Sequence, residues 1–124
     1  MNWKKIQLSI HNIEVKRGGE MGVYVFLKKG FATKHKQAIR SYHFNVINES
    51  HKLEIEVPDH TFALKAHHDE DMSGKVTKNW TGIFPTEGFG FSSGAKVLFG
   101  PPSFEQAAMT LPTHKAVHLN MIYP

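Results

Sequence analysis

Apolar residues recur at every second position through much of this chain, and this spacing constrains its fold more than any other feature. The clearest run extends from Leu53 to Val57, where apolar side chains alternate with Glu54 and Glu56. Successive side chains of a β-strand point to opposite faces, so this pattern is typical of a strand with one buried face. Similar runs lie at Ile6–Ile10, Val23–Leu27, Tyr42–Val46, Phe62–Ala66 and Val117–Met121.

Short turn signals such as Arg17-Gly18-Gly19 separate these runs. Many short strands at close spacing predict an all-β fold, either a sandwich or a small barrel. One segment departs from the alternation. Ser103 follows two prolines and precedes Gln106 by three positions, which predicts a capping box and a short helix within residues 103–109. The length of 124 residues fits a single domain, 1–124.

Composition excludes several classes of partner. The formal charge is +4, and five basic residues cluster between Lys28 and Arg40, but no recognition-helix pattern accompanies them, so no nucleic-acid partner is predicted. No apolar run approaches the ~18 residues of a transmembrane helix, so no membrane span is predicted. The chain has no cysteine, which excludes disulfides and thiol chemistry.

An acidic turn follows the fifth apolar run, in the sequence Asp69-Glu70-Asp71-Met72-Ser73-Gly74. Oxygen-bearing side chains at alternate positions and a glycine at the sixth are typical of the first half of a calcium-binding loop. The twelfth position is Trp80 instead of a bidentate glutamate, so any calcium site is predicted to be weak. The alternative is a pair of metal-free Asx turns. The predicted metal ligands are Asp69, Asp71, Ser73, Lys75 through its carbonyl oxygen, and Thr77.

A glycine- and phenylalanine-rich segment follows the acidic turn. Its aromatic rings could close one end of the core, or they could line a shallow apolar cleft for an acyl, aromatic or peptide ligand. Gly90 to Gly94 also satisfies the G-x-S-x-G motif of hydrolases, but the strand-to-helix context of that motif is absent. The predicted ligand-binding residues are Asn79, Trp80, Glu87, Phe89, Phe91, Ser92 and Phe104.

The same region resembles the DUF2141 family. Residues 79–83 and 87–92 are similar to its N-x-x-G-I-P and E-G-Y-G-F-S-N elements, and residues 99–105 match F-G-P-P-S-F-E. Members are small, usually exported bacterial β-sandwich proteins. The resemblance implies a single antiparallel sandwich of about seven strands with immunoglobulin-like or transthyretin-like topology. It also implies a periplasmic or secreted location. No signal peptide is recognisable at the start of this chain, so a removed signal and a cytoplasmic location both stay open.

Three functions are consistent with these features. The favoured one is a noncatalytic extracytoplasmic binding or accessory domain, whose end loops within residues 67–104 contact the partner and are ordered by calcium. The second is a small-molecule or lipid carrier that uses the phenylalanine-lined loops. The third is an enzyme in which Glu87 or His68 acts as general acid or base. The partner is expected to be a protein or a small apolar ligand, and the oligomeric state is left open.

Overall fold

The computed structural model describes residues 2–70, 87–96, 100–110 and 116–123. Strands dominate these ranges, and the only α-helix within them, α1, is short, so the predicted all-β class is confirmed. Three single-turn 3-10 helices lie at Val15–Arg17, His35–Gln37 and Ser92–Gly94. The larger elements are β1 (Trp3–His11), β2 (Glu20–Phe26), β3 (Arg40–Asn45), β4 (His51–Pro58), β5 (Ala63–Asp69), β6 (Phe89–Phe91), α1 (Phe104–Ala107) and β7 (Ala116–Asn120).

The strands form two sheets, with orders β4-β1-β7 and β3-β2-β5-β6. The resemblance implied an antiparallel sandwich, and four of the five strand pairings in the described ranges are antiparallel. The exception is β7, which runs parallel to β1, with Leu8 opposite Val117. Parallel neighbours need a crossover connection. Here β6 lies in the other sheet, and it ends at the end of the fold where β1 starts. The chain therefore enters β7 at that end, and β7 runs in the same direction as β1.

The alternating apolar residues supply the core, as the sequence predicts. Ile6, Leu8 and Ile10 of β1 are almost completely buried, and Val23 and Val25 of β2 are fully buried. Side chains from both sheets belong to one hydrophobic cluster. Full burial of such a side chain contributes about 1.5–3 kcal/mol, so the buried apolar residues of the alternating runs account for much of the stability of the fold.

The predicted helix is confirmed at its capping residues. The Ser103 hydroxyl accepts a hydrogen bond from the Gln106 backbone N–H at 3.2 Å, and the Gln106 side-chain oxygen accepts one from the Ser103 N–H at 2.9 Å. These reciprocal bonds satisfy two of the backbone donors that every helix leaves unpaired at its start. Within the described ranges, no helix has the length and apolar character needed to cross a membrane.

The strand directions sort the connecting segments into two ends. Glu20 begins β2 opposite Asp69, the last residue of β5. One end, which we call the Asn12 end, therefore contains residues 12–19, 46–50, 70, 87–88 and 121–123. The opposite end, which we call the helix end, contains residues 27–39, 59–62, 92–96 and 100–110. The described parts of the segment from 67 to 104 thus belong to both ends, because β6 crosses between them.

Candidate functional site

A group of ionisable and aromatic side chains lies on the face of the four-stranded sheet that points away from the core. In β5, Lys65 and His67 alternate with the core residues Leu64 and Ala66. Tyr24 of β2 is opposite Lys65, and Phe89 of β6 is opposite His67. Alternation alone predicts that this face is exposed, yet Lys65 and His67 are almost completely buried. We call Tyr24, His35, Lys65, His67 and Glu87 the polar cluster.

Lys65 joins the sheet to the segment between β2 and β3. Its ammonium group donates to the Ala32 carbonyl oxygen at 2.7 Å and lies 2.9 Å from Nε2 of His35. The same nitrogen lies 4.9 Å from the centre of the Phe89 ring. Only 2% of the residue is exposed. Burial disfavours the charged form and lowers the pKa of Lys65 to about 7, so this amine changes its charge near neutral pH.

His67 and Glu87 form a second buried pair, with Nε2 of His67 3.0 Å from one carboxylate oxygen of Glu87. The other carboxylate oxygen accepts the Glu70 backbone N–H at 2.8 Å. Burial lowers the pKa of His67, although its bond to Glu87 acts in the opposite direction. The ring is therefore neutral at pH 7, and Nε2 carries the proton that it donates to the carboxylate. Among the described residues, Nδ1 of His67 is the buried side-chain atom without a hydrogen-bond partner.

Tyr24 connects the polar cluster to β3. Its ring stacks on His35 with centroids 4.0 Å apart and meets the edge of His43 at 5.8 Å. The hydroxyl occupies the space beside Gly22, where a Cβ would lie 2.7 Å from the oxygen. Burial and the negative charges of Asp69 and Glu20 raise the pKa of Tyr24. Gly22 is therefore the residue that lets the Tyr24 hydroxyl lie close to the sheet.

An open cleft of about 600 Å³ lies at the Asn12 end. Ile47 and Ile122 belong to the same end of the fold; they are 68% and 49% exposed, and they are the large hydrophobic residues exposed in the described part of the chain. The Asn12 side-chain amide donates to the Met121 carbonyl oxygen at 2.8 Å, which joins a residue of the cleft lining to the residue that precedes Ile122. The lining residues are Asn12, Ile13, Glu14, Val15, Lys16, Glu49 and Ser50.

The chain matches the model of a family described as an uncharacterized protein conserved in bacteria, DUF2141, over residues 8–120. This chain belongs to the DUF2141 family. Neither a curated protein nor a solved structure matches it. The matched range includes every strand from β2 to β7 and the last four residues of β1, so membership applies to both sheets and confirms the resemblance noted in the sequence.

In this DUF2141 protein, Ser92 performs a structural role. Its hydroxyl accepts the Leu64 N–H at 2.9 Å and donates to the Ala107 carbonyl oxygen at 2.5 Å. No part of the residue is exposed. Both sides of the hydroxyl are thus occupied by backbone groups of β5 and α1, and the side chain is positioned to hold these elements together at the helix end.

The predicted aromatic ligand-binding residues pack against one another. Phe31 lies edge-on to Phe91 and Phe104, with centroids 6.0 Å apart in each pair. Phe89 stacks on His67 at 5.5 Å. Phe89 and Phe91 are both buried. Of the polar residues predicted beside them, Glu87 lies at the Asn12 end and Ser92 at the helix end, so the structure does not bring those two together. Asn79 and Trp80 lie outside the described residues.

Most of the predicted calcium ligands also lie outside the described residues, namely Asp71, Ser73, Lys75 and Thr77. Asp69 is described; it ends β5 opposite Glu20 and is 5% exposed. In the described ranges, no group of three or more His, Cys, Asp or Glu side chains is placed to hold one metal ion. The calcium site therefore stays a prediction.

His68 lies on the face of β5 opposite to His67. Its Nδ1 accepts the Tyr123 hydroxyl at 2.7 Å, and Nε2 donates to the Gly18 carbonyl oxygen at 2.6 Å. Both ring nitrogens are therefore used to fix loops at the Asn12 end. The structure brings Glu87 to His67 and not to His68. Sequence reasoning missed Lys65 and His67 as site residues, and the only signal for them was a lysine and a histidine within an otherwise apolar stretch of strand.

Proposed function

We propose that this DUF2141 protein is a noncatalytic, extracytoplasmic binding domain whose contact surface is the Asn12 end. The observation that supports this function is the exposure of Ile47 and Ile122 at the same end of the fold as the open cleft. Single exposed apolar residues are common, but apolar side chains grouped at a concavity with a polar rim are typical of protein and peptide contacts. The expected partner is a protein segment with apolar side chains, for which the cleft offers both apolar and hydrogen-bonding contacts.

The state of the ionisable groups supports binding over catalysis. A general acid or base must reach a substrate proton within hydrogen-bond distance. Glu87 and His67 are buried and bonded to each other. In the cleft, the Glu14 carboxylate lies 2.6 Å from the Arg17 guanidinium. These contacts occupy three of the groups in the described part of the chain that would otherwise be candidates for proton transfer, namely His67, Glu87 and Glu14. The phenylalanine rings give no support to a carrier function, because they pack against one another.

Selection of peptides tests the proposed surface. A displayed random peptide library panned against the purified protein is expected to yield peptides rich in apolar residues, and their binding should weaken at least tenfold in Ile47→Asp. That factor corresponds to about 1.4 kcal/mol, which is less than the usual cost of burying an unpaired charge. The measurement is the dissociation constant by fluorescence anisotropy.

Asn2→Asp is the matched control, since it adds the same charge at an exposed position before β1, remote from the cleft. It is expected to bind the selected peptides as tightly as the wild-type protein. Failure to select any peptide would count against the proposal, and so would peptides that bind Ile47→Asp with undiminished affinity.

We propose that calcium orders the acidic turn that begins at Asp69, at the Asn12 end. Weak sites with dissociation constants of about 10⁻⁴–10⁻³ M are typical of extracellular modules, which agrees with the export that the family resemblance implies. At a calcium concentration tenfold above the dissociation constant, the melting temperature of chelator-treated protein should rise by about 5 °C. Asp71→Asn should abolish the rise and Asp59→Asn should retain it. An unchanged melting temperature at millimolar calcium would exclude the site.

A further inference from the structure

The polar cluster contains a histidine whose surroundings are those of a metal ligand. We infer that His67, together with His35, binds a divalent transition-metal ion of the Zn²⁺ class. This site is separate from the contact surface at the Asn12 end and from the predicted calcium loop, and it does not depend on the proposed function.

The first argument is the hydrogen bonding of His67. Metal-binding histidines usually donate one ring N–H to a carboxylate or carbonyl group, which orients the ring and leaves the other nitrogen with a lone pair for the ion. Nε2 of His67 meets the Glu87 carboxylate at 3.0 Å, and Nδ1 has no partner among the described residues. A buried polar atom without a partner costs about 1–3 kcal/mol. An ion at Nδ1 would remove that cost.

The second argument is the position of His35. The ring centroids of His35 and His67 are 5.3 Å apart. With Zn–N distances of about 2.0–2.1 Å, two imidazoles at a tetrahedral angle around one ion have centroids about 5.2 Å apart. The two rings therefore already have the separation of a tetrahedral pair. Zinc, cobalt and copper all accept imidazole ligands, and zinc prefers the tetrahedral arrangement.

The charges around His67 also favour a cation. The carboxylates of Glu87 and Asp69 both act on the His67 ring, against the single positive charge of Lys65. The ion would take the place of the contact between His35 and Lys65, while Lys65 keeps its hydrogen bond to the Ala32 carbonyl oxygen. No third His, Asp or Glu in the described ranges converges on the same point, so the described residues supply two protein ligands. The site is therefore weaker than a structural zinc site with four protein ligands.

Metal titration of chelator-stripped protein tests the inference. Co²⁺ is expected to bind with a stoichiometry of one at this site and to produce the intense visible absorption of four-coordinate cobalt, and Zn²⁺ should displace it. His35→Ala should weaken binding at least tenfold. Glu87→Gln keeps the shape of the side chain but removes its charge, and it should weaken binding by about 10–100-fold, as is usual for partners of a ligating histidine.

Two matched variants distinguish this site from other histidines. His60→Ala removes an exposed imidazole, and His11→Ala breaks the pair in which His11 Nε2 lies 2.8 Å from His118 Nδ1. Both should bind Co²⁺ as the wild-type protein does. Circular dichroism verifies that each variant is folded. If His35→Ala does not fold, the Co²⁺ affinity of Glu87→Gln decides whether the inference holds. The inference is overturned if the wild-type protein binds no Co²⁺ at millimolar concentration, or if His11→Ala loses the site while Glu87→Gln keeps its full affinity.

Discussion

Raising the pH from 7 to 9.5 is expected to increase the free energy of unfolding of the metal-free protein by about 3 kcal/mol, because Lys65 is buried. Most proteins show no such gain in this range, since ordinary lysines titrate alike in the folded and unfolded states. Lys65 is 2% exposed, and its folded-state pKa is lowered to about 7 by desolvation. An unfolded chain returns that pKa to about 10.4.

The sign follows from the number of protons bound. Between the folded-state and unfolded-state pKa values, the unfolded chain keeps a proton on Lys65 that the folded protein releases. Stability therefore rises with pH across this window, is fully present above the unfolded pKa, and is lost progressively as the pH falls from there to about 7. Burial raises the pKa values of Tyr24 and Tyr123, so these tyrosines oppose the gain only above about pH 10.

Urea denaturation at several pH values between 7 and 9.5, with a chelator present, measures this effect. Lys65→Met replaces the amine with an apolar side chain of similar length and should give a nearly flat dependence of the unfolding free energy on pH. Lys52→Met removes an exposed lysine and should keep the wild-type slope. Only the slopes are compared, because Lys65→Met also removes the hydrogen bond to Ala32. Parallel curves for wild type and Lys65→Met would show that Lys65 titrates normally.

The regular elements could be predicted from the sequence because their signals are local. Alternation over a few residues identified the run from Leu53 to Val57 as a strand, and Ser103 with Gln106 identified the helix start. The parallel pairing of β7 with β1 has no local signal. Leu8 pairs with Val117 in a register that depends on the path of the whole chain between them. Alternation specifies which face of a strand is buried but not which strand lies next to it.

The polar cluster could not be predicted for a related reason. Alternation assigns Lys65 and His67 to the face of β5 that points away from the core, and the structure confirms that face. What buries Lys65 is the segment between β2 and β3, whose Ala32 and His35 contact its amine. The path of a connecting segment is set by tertiary contacts, not by the periodicity of the strand that it covers. Buried ionisable groups are where local rules and the final structure most often disagree.

At Ser92 a local motif suggested a ligand contact, and in the structure its hydroxyl bonds to the backbone of two elements of the fold. β6 ends at Phe91, opposite Lys65. Just beyond that point the Ser92 hydroxyl accepts the Leu64 N–H, so a side chain continues the ladder where the backbone of β6 has ended. The same hydroxyl donates to the Ala107 carbonyl oxygen and thereby holds α1 against the sheet.

Ser92→Ala is therefore expected to lower the free energy of unfolding by about 3 kcal/mol, because it leaves a buried N–H and a buried carbonyl group unpaired, each at a cost of about 1–3 kcal/mol. Ser93→Ala is the matched control: this neighbouring serine is exposed, its hydroxyl donates to the Ala108 carbonyl oxygen at 2.9 Å, and water can replace it. Loss of the Ser93 hydroxyl should lower the free energy of unfolding by less than about 1 kcal/mol. Urea denaturation measures both variants. A Ser92→Ala protein with wild-type stability but impaired peptide binding would assign Ser92 to a ligand contact, as the sequence motif predicts, and would remove its structural role.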